Sequence, residues 1–203
     1  MLVREVMSSP PVTVHRADPV RRAIRVLYAH DVTAAPVLDD SGRLAGMVSE
    51  IDLLRGEFEP DPRASVRPPV PSAEPPPRQV WQVMTHAVVT VTPATDAATA
   101  IDLMVGKRVK SLPVLEGEKV VGILSRRDLL SMLARPDEEL REAVVAALRE
   151  HRPAGEEEWE VTVTEGVAVL RGARGTPHDE RAAHVAGLLT RTVPGIVRVR
   201  VLP

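Results

Sequence analysis

Apolar residues Val20, Ala23, Ile24 and Leu27 recur at three- and four-residue spacing. That period predicts an amphipathic helix. Before it, Val12–Val14 reads as a short strand. After it come a β-rich run, Ala35–Asp39, a turn at Asp40-Ser41-Gly42 and a second strand, Leu44–Ser49. A helix closes the unit, starting near Ser49 and ending by Gly56. The whole pattern then returns 77 residues later: Val6-Met7 as Val83-Met84, Thr13-Val14 as Thr90-Val91, the helix face as Ala97, Ala100, Ile101 and Met104, and Pro36-Val37-Leu38 as Pro113-Val114-Leu115. One residue is lost in the second copy. Beyond the loss, Gly46-Met47-Val48-Ser49 matches Gly122-Ile123-Leu124-Ser125, and Asp52-Leu53-Leu54 matches Asp128-Leu129-Leu130. A sheet this small exposes its apolar face when alone, and pairing two copies buries it.

The pattern changes after Arg135-Pro136. Asp137-Glu138-Glu139 place acids where a helix dipole favours them, and Leu140, Val144, Ala147 and Leu148 form its apolar stripe. Glu156-Glu157-Glu158 reads as a solvated loop. Trp159, Val161 and Val163 alternate with Glu160, Thr162 and Thr164, a half-buried strand. Glu165-Gly166 supplies a turn into a hairpin partner, Val167–Leu170. Thr176-Pro177-His178-Asp179 reads as a helix start, with Ala182, Val185, Ala186, Leu189 and Val193 facing the sheet. Pro194-Gly195 ends that helix. Ile196–Leu202 forms a last strand with Val197, Val199 and Val201 on one face. The predicted class is α/β (α+β): a paired-motif module over residues 1–136 and a small αββαβ domain over 137–203. Within the module the motifs cover about 3–58 and 80–135. Eight prolines crowd the linker, 59–79, which therefore reads as an extended spacer.

Composition narrows the functions. Aromatic residues are 2% of the chain, too few for the stacking platforms of single-stranded nucleic-acid binders. The net charge of −2 gives no global attraction to nucleic acid. There is no cysteine, hence no disulfide, thiolate metal site or thiol nucleophile. The six histidines have no metal-ligand spacing. No nucleophile elbow, Walker loop or constellation of nucleophile, base and orienting group is present, so no catalytic residue is assigned. Met1–Val14 lacks the basic-then-apolar pattern of a signal peptide, and no apolar run is long enough to span a bilayer, so the expected location is cytoplasmic.

Gly46-Met47-Val48-Ser49-Glu50-Ile51-Asp52 and Gly122-Ile123-Leu124-Ser125-Arg126-Arg127-Asp128 carry the candidate chemistry. A strand ends at each Ser and a helix starts there. The N–H groups at a helix start favour phosphate, the Ser hydroxyl adds a donor, and an Asp three residues on can accept from ribose hydroxyls. The same Ser-x-x-Asp spacing is a helix capping box. Capping and ligand contact can coexist. The copies differ in charge: Glu50 would repel phosphate where Arg126 would attract it.

These elements, in order and twice over, resemble the CBS (cystathionine-β-synthase) motif. The resemblance implies a paired module, often a homodimeric disc, whose clefts take AMP, ADP, ATP or S-adenosylmethionine as regulatory ligand, with no covalent cofactor. It implies that Asp52 and Asp128 hold ribose, that Ser49 and Ser125 approach phosphate, and that Lys110 stands where some relatives place a phosphate-contacting base; the first copy has Thr33 there. Thr13 and Thr90 complete the candidate nucleotide-binding set with Arg126. Residues 137–203 resemble a BON domain, through the Leu140 helix, Val161–Leu170, Arg171-Gly172 and Val193-Pro194-Gly195-Ile196-Val197. That resemblance implies binding of anionic phospholipid or of a protein partner; Arg198 and Arg200, with Arg171 and Arg174, would supply a basic face. Two functions stay open: a nucleotide-responsive regulator, or a ligand-free scaffold attached through its last domain.

Overall fold

The structure, a computed structural model, describes residues 1–55, 57–58, 61, 63, 77–151, 159–172 and 180–202. Most of the proline-rich linker, the acidic run Glu156–Glu158, Arg174 and the expected helix start Thr176–Asp179 lie outside them. Packing divides the chain into two compact units: Met7–Ser125, and Met1–Val6 with Arg126–Pro203.

The first unit holds β1 (Val14–His15), α1 (Val20–Ala29), β2 (Ala34–Leu38), β3 (Leu44–Ser49) and α2 (Glu50–Leu54), then α3 (Ala97–Lys107), β4 (Ser111–Glu116) and β5 (Lys119–Ser125). The expected strand Val12–Val14 is shifted and short. In the second copy its counterpart shrinks to a single bridge, Val91 to Val114, equivalent to the parallel Val14–Val37 pair of β1 and β2. The repeat extends to fine detail. Both hairpins carry a register shift at the same place, after Val37 and after Val114. Both helices are followed by a left-handed residue, Asp31 (φ 51°) and Arg108 (φ 56°). The Asp18 carboxylate accepts from the His15 N–H at 2.9 Å, and the Thr95 hydroxyl accepts from Thr92 N–H at 3.0 Å in its place. The missing residue comes out of the hairpin turn. Leu38 pairs with Leu44, whereas Leu115 pairs with Val120.

The two copies exchange their leading segments. Met47 of β3 and Thr85 form a reciprocal pair, Met47 N–H to Thr85 O at 2.9 Å and Thr85 N–H to Met47 O at 2.8 Å. Ile123 of β5 and Ser8 do the same at 3.0 and 2.9 Å. Each glycine beside these pairs is a close approach. A Cβ on Gly46 would lie 2.7 Å from Thr85 O, and one on Gly122 would lie 2.6 Å from Met7 Sδ. Val80 and Met84 therefore join the core of Val14, Val20, Ala23, Leu27, Ala35, Val37, Val48 and Leu53. The end of the linker also packs here: Val20 N–H donates to Arg78 O at 3.0 Å and Val80 N–H to Asp18 O at 3.0 Å. Residues 78 and 79 are thus edge contacts of the first copy rather than spacer.

The second unit contains α4 (Arg126–Leu133), α5 (Asp137–Glu150), β6 (Trp159–Thr164), β7 (Val167–Gly172), α6 (Glu180–Thr192) and β8 (Arg198–Leu202). From α5 onward the order is αββαβ. The sheet order is β6-β7-β8, with β6 and β7 antiparallel and β7 and β8 parallel. Val144, Val161, Leu170, Ala186 and Val193 form its core; fully burying such a side chain contributes about 1.5–3 kcal/mol. The Asp137 carboxylate accepts from Glu165 N–H at 2.8 Å and Gly166 N–H at 3.0 Å, so it clamps the β6–β7 turn. The Arg135 guanidinium donates to Pro194 O at 2.7 Å, and buried Gly195 lies against Leu140 and Met132 O.

Two faces differ from the sequence pattern. The buried face of α6 is Ala183, Ala186, Gly187 and Thr190, while Val185 is exposed. Small residues allow close approach to the sheet; a Cβ on Gly187 would meet Val201 at 3.4 Å. The buried Thr190 hydroxyl is satisfied by Ala186 O at 2.8 Å. The last strand starts at Arg198, and Val197, expected on its inner face, is exposed.

Candidate functional site

In the first copy β3 ends at Ser49, paired with Ala34 of β2, and α2 starts at the next residue. Buried Leu53 anchors α2 in the core. Asp52 Oδ2 accepts from the Ser49 N–H at 2.9 Å and from Ser49 Oγ at 2.6 Å. The Glu50 N–H donates to Thr33 O at 3.0 Å. The N–H groups of Ser49 and Glu50, two of the four at this helix start, are therefore already bonded within the protein. α2 is only five residues long, so its dipole is small. Ser49 and Asp52 are both half-buried. Thr13 is half-buried just before β1; β2 separates β1 from β3, so Thr13 and Ser49 flank β2 from opposite sides.

In the second copy Ser125 ends β5 and pairs with Ser111 of β4. Lys110, exposed, immediately precedes Ser111; Arg126, also exposed, immediately follows Ser125 and opens α4. Asp128 is half-buried in the first turn of α4, where its carbonyl accepts from Ser131 Oγ at 2.8 Å. Thr90 is exposed beside Val91, the residue that bridges to Val114. At the C-terminal unit, Arg198 and Arg200 are exposed on β8, and Arg171 is exposed on β7 opposite Leu202.

Pattern reading missed two features around these strands. One is the Thr33 carbonyl, which occupies the first N–H of α2. The other is the crossing of Gly46 with Met84 and of Gly122 with Met7. The available signal was the recurrence of both Gly and Met at repeat-equivalent positions. Among the described residues, no group of three or more His, Asp or Glu side chains converges as a metal site. No described helix is long and apolar enough to cross a membrane.

The CBS domain profile matches residues 3–59 and 80–135, more than half of the chain. The chain belongs to the CBS-domain family. The matched segments coincide with the two copies of the repeat. The inosine-5'-monophosphate dehydrogenase of Methanocaldococcus jannaschii is 28% identical over 152 residues, 72% of this chain and 27% of that enzyme. An uncharacterized protein of the same organism, MJ1426, is 27% identical over 154 residues, 66% of this chain and 91% of its own length. The chain thus spans about a third or less of some curated relatives and nearly all of another. The CBS domain of a CBS domain containing membrane protein from Sphaerobacter thermophilus is 30% identical, with TM-score 0.52, covering 64% of this chain and 86% of that one. The CBS domain pair of protein MJ0100, in complex with 5'-methylthioadenosine and S-adenosyl-L-methionine, shares the fold at 22% identity and TM-score 0.53, covering 65% and 94%. CBSX2 in complex with AMP shares it at 22% identity and TM-score 0.50, covering 74% and 98%.

Proposed function

We propose that this CBS-domain protein is a non-enzymatic regulator whose paired motifs bind an adenosyl ligand: AMP, ADP, ATP or S-adenosylmethionine. Ligand binding shifts the population between two arrangements of the module. A BON-like C-terminal unit or a partner reads the shift. The observation that carries this reading is the reciprocal exchange between copies. Each motif's second strand holds the leading segment of the other, so a ligand at one strand end bears on both motifs. The adenosyl ligands in the MJ0100 and CBSX2 complexes support the ligand class. Asp52 Oδ2 is taken by Ser49, so a ribose hydroxyl would be accepted at Oδ1. Ser49 and Thr13 would border that ligand, and Ser125, Asp128, Lys110, Arg126 and Thr90 would form the second set. The αββαβ order supports the BON-like reading of the last unit. A homodimer would cover Ile51, 73% exposed on α2, and Val105, 71% exposed on α3. We place the protein in the cytoplasm.

A thermal-shift panel tests the proposal with AMP, ADP, ATP, S-adenosylmethionine, NAD and GTP, on the natural chain and on Asp52→Ala and Asp128→Ala. Ligand at 100 times its Kd stabilises by about 2.7 kcal/mol, a rise of roughly 5–10 °C for a chain this size. A rise with an adenosyl compound, removed by one Asp change, is the expected result. Turnover of the bound nucleotide on long incubation would contradict the non-enzymatic reading.

The Ser49–Asp52 bonds favour a second reading. They form a self-sufficient helix cap, which suits a ligand-free scaffold attached to anionic phospholipid or a protein through its last unit. No thermal shift at millimolar ligand, with salt-sensitive pelleting on anionic vesicles, would establish it instead.

A further inference from the structure

The C-terminal sheet ends in an edge. Among the described residues β8 pairs with β7 on one side only, so every second backbone N–H and C=O of Arg198–Leu202 points away from the sheet. A groove of about 350 Å³ follows this edge, lined by Arg191 of α6 and by the consecutive residues Ile196, Val197, Arg198, Val199 and Arg200. Lining by consecutive residues means that the groove runs along the strand's backbone, not over one face of the sheet. Its charge is uniformly positive. Arg198 and Arg200 are exposed, and neither they nor Arg191 forms an ion pair among the described residues. Among the described residues no acidic side chain lines the groove. The whole chain, by contrast, carries a net charge of −2.

We propose that this groove binds an extended acidic peptide segment of a partner protein, which adds a fourth strand beside β8. Backbone hydrogen bonds to the free edge supply register-independent affinity, and carboxylates on alternate residues meet Arg198 and Arg200. Side chains two apart in a strand lie about 6.6–6.8 Å from each other on the same face, so an alternating acidic segment matches both arginines. Arg191 adds a third cation at the wall of the groove. A second copy of β8 is disfavoured as occupant because it would set these arginines against their own counterparts. A membrane surface would use the charge and leave the edge hydrogen bonds unmade. The proposal stands whether or not the CBS motifs bind nucleotide.

The test uses the full chain and a blocked eight-residue peptide of alternating Glu and Thr, carrying a fluorophore, read by anisotropy. Three companions are a Lys-Thr peptide and two Glu-Thr peptides, each N-methylated at one of the two sets of alternate residues. Arg198→Glu/Arg200→Glu alters only exposed side chains, and circular dichroism checks its fold. The Glu-Thr peptide is expected to bind, at least tenfold more tightly than the Lys-Thr peptide. The double substitution is expected to weaken it at least tenfold, and at least one N-methylated register to bind at least tenfold more weakly. Equal binding of the Glu-Thr peptide and both N-methylated peptides would show attraction without strand addition and overturn the proposal. So would absence of peptide binding together with Arg198- and Arg200-dependent pelleting on vesicles of 30% phosphatidylglycerol. Absence of binding to both probes would leave the arginines as guards against edge-to-edge aggregation and would overturn it as well.

Discussion

Gly46→Ala tests the exchange between copies at its tightest point. Gly46 is buried in β3 opposite Val37. An added Cβ would stand 2.7 Å from Thr85 O, 2.9 Å from Met84 Sδ and 3.2 Å from Met84 Cγ. The Met84 side chain can turn away, but the Thr85 carbonyl cannot, because it accepts the Met47 N–H. The 84–85 segment must retreat by several tenths of an ångström and loosen both Met47–Thr85 bonds. Overpacking of this kind costs about 1–3 kcal/mol, and each weakened bond adds up to about 1 kcal/mol. Ala regains about 0.5–1 kcal/mol of backbone entropy. At the middle of these ranges the net expectation is a loss of about 2 kcal/mol, a fall of roughly 4–8 °C in the calorimetric Tm. Gly122→Ala is expected to cost less, because its shortest contact is the flexible end of Met7 at 2.6 Å and Ser8 O is at 3.1 Å. Met7→Ala should partly rescue Gly122→Ala, whereas Met84→Ala should not rescue Gly46→Ala. A Gly46→Ala loss below about 0.5 kcal/mol, or its full rescue by Met84→Ala, would refute the reasoning.

Three further outcomes follow from named contacts. Asp137→Ala removes the acceptor for Glu165 and Gly166 N–H and should destabilise the C-terminal unit by about 1–3 kcal/mol; unchanged amide exchange in the β6–β7 turn would count against the clamp. Arg126→Glu should weaken binding of a phosphorylated adenosyl ligand and flatten its salt dependence, and unchanged affinity and salt dependence would remove Arg126 from the site. The Asp39 carboxyl is held below its usual value, chiefly by the Arg43 N–H and also by the Ser41 N–H and the Arg43 guanidinium, with burial opposing. A lowered folded-state pKa stabilises above the unfolded value and is lost as pH falls through the folded one, so the turn should loosen only below about pH 4. Ser41 and Arg43 amide shifts that stay constant from neutral to acid pH would contradict this.

The repeat was legible because its apolar spacing, its Pro-Val runs and its Ser-x-x-Asp endings recur in order, and β3 and the start of α5 fall where the pattern puts them. The exchange between copies was not legible. Met7-Ser8 and Met84-Thr85 are too short to show a period, and their partners lie more than 35 residues away in one case and more than 110 in the other. The buried face of α6 was misjudged because Gly187 and Thr190 carry no apolar signal; close approach and a local hydrogen bond bury them. Asp137 read as a dipole partner, since its turn lies 28 residues onward. At the candidate site the Ser49–Asp52 cap followed from spacing alone. The use of the Glu50 N–H by Thr33 did not, because a hairpin register decides it.

The most direct measurement is isothermal titration of AMP and of S-adenosylmethionine into the full chain and into Asp52→Ala/Asp128→Ala. The natural chain should bind at least one ligand saturably, and the double variant should bind it at least tenfold more weakly with its circular dichroism unchanged. No heat of binding for either ligand at two temperatures, or equal affinity in the double variant, would contradict the adenosyl-binding reading.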